Sequence, residues 1–475
     1  MAENNLRVGL CGIGLDAYWP QFPGLRARLE GYVRQVGERL EKSGAAVERL
    51  GLVDTPEAGR DAGHRCRRAD ADLLVIYLTT YALSSSVLPM VQRAGVPALV
   101  LNLQPTAAID YEAFNRLPNR TAMTGEWLAY CSACSAPEIA NVLLRAGLPF
   151  HQVTGVLGDA ATWAEIDEWI EAARVKKALA DNRLGLLGHY YNGMLDIATD
   201  LTQVAITFGS HMEQLEVDEL SALRGAVSDA EIGRRVAEFH SIFEVQPDCA
   251  GEELARAART SVALDRLVDR HQLSSLAYYA MGSGVEENED TLSSMILGTS
   301  LLTARGVPVA GEYEVKNALA MKIMDSLGAG GSFTEYYALD LKADHVLMGH
   351  DGPGHVAIAE GRAKVRPLEV YHGKVGRGLS VEMSVQHGPV TLLAVAEDAT
   401  HGFKLLAAEG ESVPGPVLAI GNTNSHYRFP LGARGFVEAW NAQGPAHHCA
   451  IGVGHIAGKL RKLAQLMGLD LVQVC

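Results

Sequence analysis

Residues 72–103, DLLVIYLTTYALSSSVLPMVQRAGVPALVLNL, decide the fold class. DLLVIYL (72–78) and VPALVLNL (96–103) are short apolar runs, and each reads as a strand buried on both faces. Between them, residues 86–94 read as a helix. Strand, helix and strand in so short a span is the rhythm of a parallel sheet covered by helices. Outward from this unit, residues 6–14 and 45–53 read as further strands. Residues 22–44, with charges set between apolar positions, read as a helix.

The rhythm restarts after a charged helix near 161–182. RLGLLGH (183–189) looks like a new first strand, so a second α/β domain is expected to begin there. Long helical patterns follow at 229–243 and 251–271, a strand at 272–281, and helices at 293–304 and 315–327. From 343 onward the runs become short and strand-like: HVLMGH, HVAIAEG, LSVEMSV, PVTLLAVAE, GFKLLAAEG and PVLAIGN. Gly and Pro punctuate them, which predicts a small β-barrel or folded sheet. A helix at 456–467 closes the chain.

The 475 residues are too many for one core, and two or three domains are expected. With 48% apolar and 20% charged residues the composition is that of a globular protein. A net charge of −15 argues against nucleic acid or an anionic membrane as partner, and suits a neutral substrate or a bound cation. The N-terminal MAENNLRVGLCGIG lacks the basic region and long apolar core of a signal peptide. No apolar run reaches membrane-spanning length. Seven cysteines are odd in number and sparse, so the chain is expected in a reducing, cytoplasmic compartment.

Several motifs fall short. Gly9-Leu-Cys-Gly12-Ile-Gly14 ends a strand but is not G-x-G-x-x-G, so its glycines read as turn and packing residues. Cys131-Ser-Ala-Cys134 has no second CxxC to complete a zinc site, and no thioredoxin-like context. Two packed or cleft-lining thiols are the expectation there. His345, His350 and His355 recur every five residues, which would place successive ones on opposite faces of a strand.

The blocks GEYEVKNALAMKIMDS (311–326), GGSFTEYYALDL (330–341) and VLMGH (346–350) resemble the L-arabinose isomerase family in kind and order. That family has a glutamate before a helix, then G-T-S-F-x-E-D-Y, then a strand ending in G-S-H. EAWNAQGPAHHCAIG (438–452) resembles its EAW-x₂-A-G-G-A-HH segment. VQPD and ARAARTSVALDRLV within 245–268 resemble a helix of its central domain. The LNLQP segment places Gln104 where the family has a strand-end glutamine. The resemblance covers most of the chain. It implies two Rossmann-like α/β domains, 1–178 and 179–342, and a β-rich, barrel-like domain, 343–475, carrying His350 and His448.

It further implies aldose–ketose isomerisation with Mn²⁺ or another divalent cation such as Mg²⁺ or Co²⁺. Glu312, Glu335, His350 and His448 fall on the family's metal ligands, with His447 the competing choice for the last. Tyr337, His447, Gln104 and Cys134 fall on substrate-contacting positions. The assembly implied is a trimer or hexamer, in which one subunit's Gln104 and Cys134 loop face a neighbour's metal. Three departures bear on the sugar. The family's Q-H-L-Y-G is GIGLDAYWP here, a family histidine is replaced by Cys134, and DGPGH follows where the family continues M-L-E-V. These point away from arabinose toward another aldose, a deoxysugar or a branched sugar.

The residue types suit the reaction. Two carboxylates and two imidazoles make a donor set for a divalent ion such as Mn²⁺. Isomerisation moves a proton between C1 and C2, which needs charge stabilisation and an acid/base pair. Glu312 and Glu335 could ligate and also shuttle the proton, with His350 and His448 bound as neutral imidazoles. Asp351 is a candidate acceptor for a ring nitrogen. The plain alternatives are a helix-dipole partner at Glu312, a loop acid at Glu335 after the glycines 328, 330 and 331, and a loop histidine pair. A metal-dependent epimerase or lyase, or a non-catalytic sugar-binding protein, are the competing functions.

Overall fold

In the computed structural model, which describes residues 6–281, 284–371, 374–375, 377–400 and 402–475, residues 72–103 form the unit expected of them. Strand Leu73–Tyr77 is wholly buried, helix Ser84–Ala94 follows, and strand Ala98–Gln104 is buried as far as Leu103. Residues 1–5 of the N-terminal stretch lie outside the described residues. By its contacts the chain divides into two compact units, Met1–Lys177 and Ala178–Cys475.

The first unit holds a five-stranded parallel sheet. Its order is Ala46–Val53, Arg7–Ile13, Leu73–Tyr77, Ala98–Gln104, Phe150–Val156. Parallel neighbours cannot be joined by a hairpin, so helices connect them as crossovers. The N-terminal glycines are spaces for packing. A Cβ on Gly12 would lie 2.5 Å from Val33, and one on Gly14 would lie 2.8 Å from the Trp19 ring.

The second unit contains two main sheets sharing one core, beside a three-stranded sheet of Leu379–Glu382, Lys364–Pro367 and Glu244–Val245 and a two-stranded one of Val370–Tyr371 and Lys374–Val375. The first is parallel and four-stranded, in the order Val309–Ala310, Ser275–Tyr279, Arg183–Gly188, His211–Leu215. The second runs Gly388–Glu397, His448–Val453, Gly330–Asp340, His345–His350, Thr423–Arg428, Phe403–Val413, and Asp470–Gln473. Gly388–Glu397 also pairs along the length of Phe403–Val413, so six strands close on themselves. Closure removes the exposed edges that a polar-poor sheet would otherwise present.

The barrel begins earlier than the short-run pattern suggests. Strand Gly330–Asp340 belongs to it, although its glycine-rich start reads as a turn. Gly330 and Gly331 have φ of 83° and 111°, and the pairing register shifts between Gly330 and Ser332. The glycines therefore start a kinked strand. Helix Val315–Ser326 packs on strands of both sheets of this unit and is buried on almost every side, which explains its run of apolar residues. No helix among the described residues is long and apolar enough to cross a membrane.

Candidate metal centre

Three adjacent barrel strands bring three of the expected ligands to one rim. Glu335 pairs directly with His448 on one side and with Gly349 on the other, and His350 follows Gly349 at its strand end. This is a consequence of antiparallel register: residues opposite one another on neighbouring strands stand close together. The fourth, Glu312, comes from the parallel sheet. It follows strand Val309–Ala310 at its carboxyl end, where ligand sites of α/β sheets collect.

Four candidate ligand positions therefore converge. His448 Nε2 lies 3.4 Å from Glu312 Oε2 and 3.9 Å from Glu335 Oε2. His350 Nε2 lies 3.9 Å from Glu312 Oε1. His447 is part of the same cluster, with Nε2 3.8 Å from Glu312 and 4.0 Å from Glu335. Ligand atoms of Glu312, His447 and His448, and those of Glu335, His350 and His448, lie within 4.8 Å of one another. Oxygen and imidazole donors at such separations fit a divalent first-row ion or Mg²⁺.

The two histidines of the pair differ in their surroundings. His448 is buried, and its Nδ1 is 2.5 Å from Glu314 Oε2. Its Nε2 is buried and makes no hydrogen bond among the described residues, while it faces two carboxylates. With Glu314 ionised, Nδ1–H donates and the Nε2 lone pair is left for an ion, the arrangement of a carboxylate–histidine–metal triad. Burial pushes the Glu314 carboxyl up to about 8, with Lys316 and His447 opposing. Burial also drives the His448 imidazolium well below its ordinary range. Both directions reflect the cost of uncompensated charge in this interior; a cation beside them would favour the Glu314 carboxylate and keep His448 neutral.

His447 is partly exposed, and Asp196 Oδ2 accepts from both its backbone N–H (3.0 Å) and its Nδ1 (2.6 Å). Burial disfavours its charged form, yet the Asp196 carboxylate holds its pKa above the usual value. Asp196 lies in the loop after strand Arg183–Gly188, and Lys316 Nζ donates to its carbonyl at 2.7 Å.

Backbone strain marks the turn that carries Glu312. Glu312 and Tyr313 have φ of 56° and 62°, the only adjacent non-glycine pair in the left-handed region among the described residues. Such a conformation costs about 1–3 kcal/mol per residue and persists where its surroundings over-determine it. Here Tyr313 N–H donates to Tyr278 O (3.0 Å), Tyr313 Oη to Gln214 Oε1 (3.0 Å), and Glu314 N–H to Gly311 O (3.0 Å). Glu314, rather than Glu312, is the N-cap residue of helix Val315–Ser326, so Glu312 is turned away from the helix-end role a lone glutamate there would suggest.

Phe333, two residues before Glu335 on the same strand, supports the imidazoles from below. Its ring centroid lies 4.5 Å from that of His350, edge-on, and 4.4 Å from that of His448. The His350 ring nitrogen Nδ1 meets the Gly352 N–H at 3.0 Å. Asp351, the candidate for a ring-nitrogen partner, hydrogen-bonds through Oδ1 to Asn422 Nδ2, which also donates to Tyr337 Oη at 2.9 Å. His355 lies beyond the strand, because Asp351-Gly-Pro-Gly ends it at His350.

Gly349 is required by its neighbour strand. A Cβ there would fall inside the carbonyl oxygen of Thr423, the residue whose Oγ1 accepts from His350 N–H at 2.9 Å. Gly349→Ala should destabilise the second unit by about 1–3 kcal/mol or more, since backbone cannot yield as a side-chain tip does. Urea unfolding of the variant against wild type measures it, and an unchanged midpoint would contradict the packing described.

Gln104 and Cys134 belong to the first unit, and they are near each other there. Gln104 Nε2 donates to Ser132 Oγ at 2.8 Å, within the CSAC turn. Glu314, Asp196 and Phe333 escape the sequence reading. Glu314 sits two residues after Glu312 in GEYEV, a repeat that could have drawn notice. Asp196 and Phe333 carry no local signal.

Comparison with known proteins gives consistent results. Residues 330–470 match the family model described as L-arabinose isomerase C-terminal domain. An L-arabinose isomerase of Nocardioides sp. is 27% identical over 71% of this chain and 68% of its own length. L-arabinose isomerases of Aeromonas salmonicida and Erwinia tasmaniensis are 22% and 23% identical. They cover 92% and 94% of this chain, and 85% and 90% of their own lengths.

Proposed function

We propose that this chain, a divergent L-arabinose isomerase-like protein, is a metal-dependent sugar ketol-isomerase that interconverts an aldose and a ketose through an enediol. The observation that carries this reading is the meeting of Glu312, Glu335, His350 and His448 at one barrel rim, with the unbonded Nε2 of His448 aimed between the carboxylates. Those four residues would hold the ion, and Mn²⁺ is our choice by donor type. When bound, the ion polarises the sugar's oxygens and stabilises negative charge developing on them.

The protein's own groups move the protons. One of Glu312 and Glu335 takes the proton from C2 of the aldose while the other delivers one to O1, giving the enediol. Return of a proton to C1 and loss of the O2 proton give the ketose. His447, held by Asp196, presents Nε2 beside both carboxylates and is placed to hydrogen-bond a sugar hydroxyl. Tyr337, tied to Asn422 and through it to Asp351, lines the same side. The reading includes the three-part division at 178 and 342, with strand Gly330–Asp340 counted to the barrel, a cytoplasmic location, and a trimer or hexamer. In that assembly Gln104 and the Cys134 loop complete a neighbour's site. A sugar other than arabinose fits the altered segments GIGLDAYWP and DGPGH.

NMR of a sugar panel incubated with Mn²⁺-loaded protein in D₂O, recorded after the ion and protein are removed, tests this. Ketose carrying deuterium at C1 is expected. Dialysis against a chelator should abolish turnover and Mn²⁺ should restore it. Failure of every aldose and ketose to interconvert would refute the isomerase reading.

A further inference from the structure

Cys131-Ser-Ala-Cys134 occupies a turn between helices Arg120–Leu128 and Ser135–Arg145. The two sulfurs are 3.2 Å apart, and Cys134 Sγ also lies 3.2 Å from Cys131 O. We propose that Cys131 and Cys134 form a reversible dithiol–disulfide site that exchanges with low-molecular-weight disulfides.

The geometry favours an internal bond. A disulfide has its sulfurs about 2.0 Å apart, so the pair needs to approach by roughly 1 Å from its present separation. A two-residue spacer in a turn allows this without moving either helix. The residue that follows the turn is fixed to the loop after strand Leu73–Tyr77: Ser135 Oγ donates to Thr80 O (3.2 Å) and accepts from Ala82 N–H (2.9 Å). The two thiols also differ in access. Cys134 is exposed and Cys131 is half-buried, whereas Cys11, Cys66 and Cys449 are buried. Burial, and the neighbouring Cys134 thiol, push Cys131 up to about 12, so Cys134 is the sulfur that an incoming disulfide meets first.

The exchange balances in two steps. The Cys134 thiol, losing its proton to solvent, attacks one sulfur of R–S–S–R, forming a mixed disulfide and releasing one RSH. The Cys131 thiol then loses its proton, its sulfur attacks Cys134 Sγ, and a second RSH leaves. The protein dithiol is oxidised by two electrons and the small disulfide is reduced to two thiols. Ser132 lies between the two cysteines and accepts from Gln104 Nε2, so closing the bond acts directly on the residue that orients the strand-end glutamine. The inference does not depend on the isomerase reading, because its readout is thiol chemistry.

The test is incubation of the full chain with oxidised glutathione, followed by denaturing thiol count and peptide mapping. Wild type should lose two of its seven thiols, with the bond mapped to Cys131–Cys134, and a monothiol reductant should restore both. Cys131→Ser should stop at a stable glutathione adduct on Cys134, and Cys134→Ser should take up none at position 131. Seven thiols surviving in wild type, or a bond mapped to any other pair, would overturn the proposal.

Discussion

Glu335→Gln should lower kcat by about 10²–10⁴-fold, the usual contribution of a positioned acid or base, with further loss where ion binding weakens. The substitution is nearly isosteric. The strand pairs Glu335 with Gly349 and His448 through its backbone, so the barrel register should survive. What disappears is a negative charge 3.9 Å from His448 Nε2 and a group able to accept a proton. Turnover of the responding sugar, Mn²⁺ binding by electron paramagnetic resonance, and circular dichroism separate these effects. Glu411→Gln, an exposed acid elsewhere on the barrel, is the control. Wild-type turnover in Glu335→Gln, with its fold intact, would remove Glu335 from the reaction and leave the rim without a proton carrier opposite Glu312.

Phe333→Ala should have the largest effect on stability, about 3–5 kcal/mol, as for a buried phenylalanine replaced by a methyl group. Phe333 is fully buried and packs edge-on against His350 and tilted against His448, so the cavity opens directly beneath two candidate ligands. Each aromatic contact adds about 0.5–1.5 kcal/mol beyond area burial. Phe333→Leu fills most of that space but gives up the ring faces. It should recover much of the stability while Mn²⁺ affinity stays below wild type, because the imidazoles lose the surface that fixes their rotation. Urea midpoints and Mn²⁺ titrations of the two variants test this. Wild-type affinity in both would show that the rings are held by their hydrogen bonds alone.

Much of the architecture is legible because each stretch has a simple local cause. DLLVIYL and VPALVLNL read as buried strands, since mostly apolar runs of seven or eight residues are too short for a helix between turns. The strand Gly330–Asp340 is obscured by its own beginning: three glycines read as a turn, and only pairing with His448–Val453 reveals the kinked strand. Glu312 is legible as a glutamate before a helix, but its left-handed backbone is not, because that conformation is imposed by bonds to Tyr278 and Gln214 far along the chain.

The sequence by itself determined the parallel-sheet character of the chain's first part and the change to short strands near its end, while the four candidate ligands are singled out by the family resemblance and not by any spacing. The first two follow from hydrophobic period and punctuation, local properties of the chain. Only the tertiary structure decided that Glu335, His448 and His350 stand on adjacent strands of a closed sheet. It alone brought Glu312 to them from a different sheet and set Glu314 and Asp196 behind the two histidines. The reason is separation: Glu314 and His448 are 134 residues apart, and Asp196 and His447 are 251 apart. No local pattern encodes such a pairing, which is fixed by barrel closure and by the packing of helix Val315–Ser326 against both sheets.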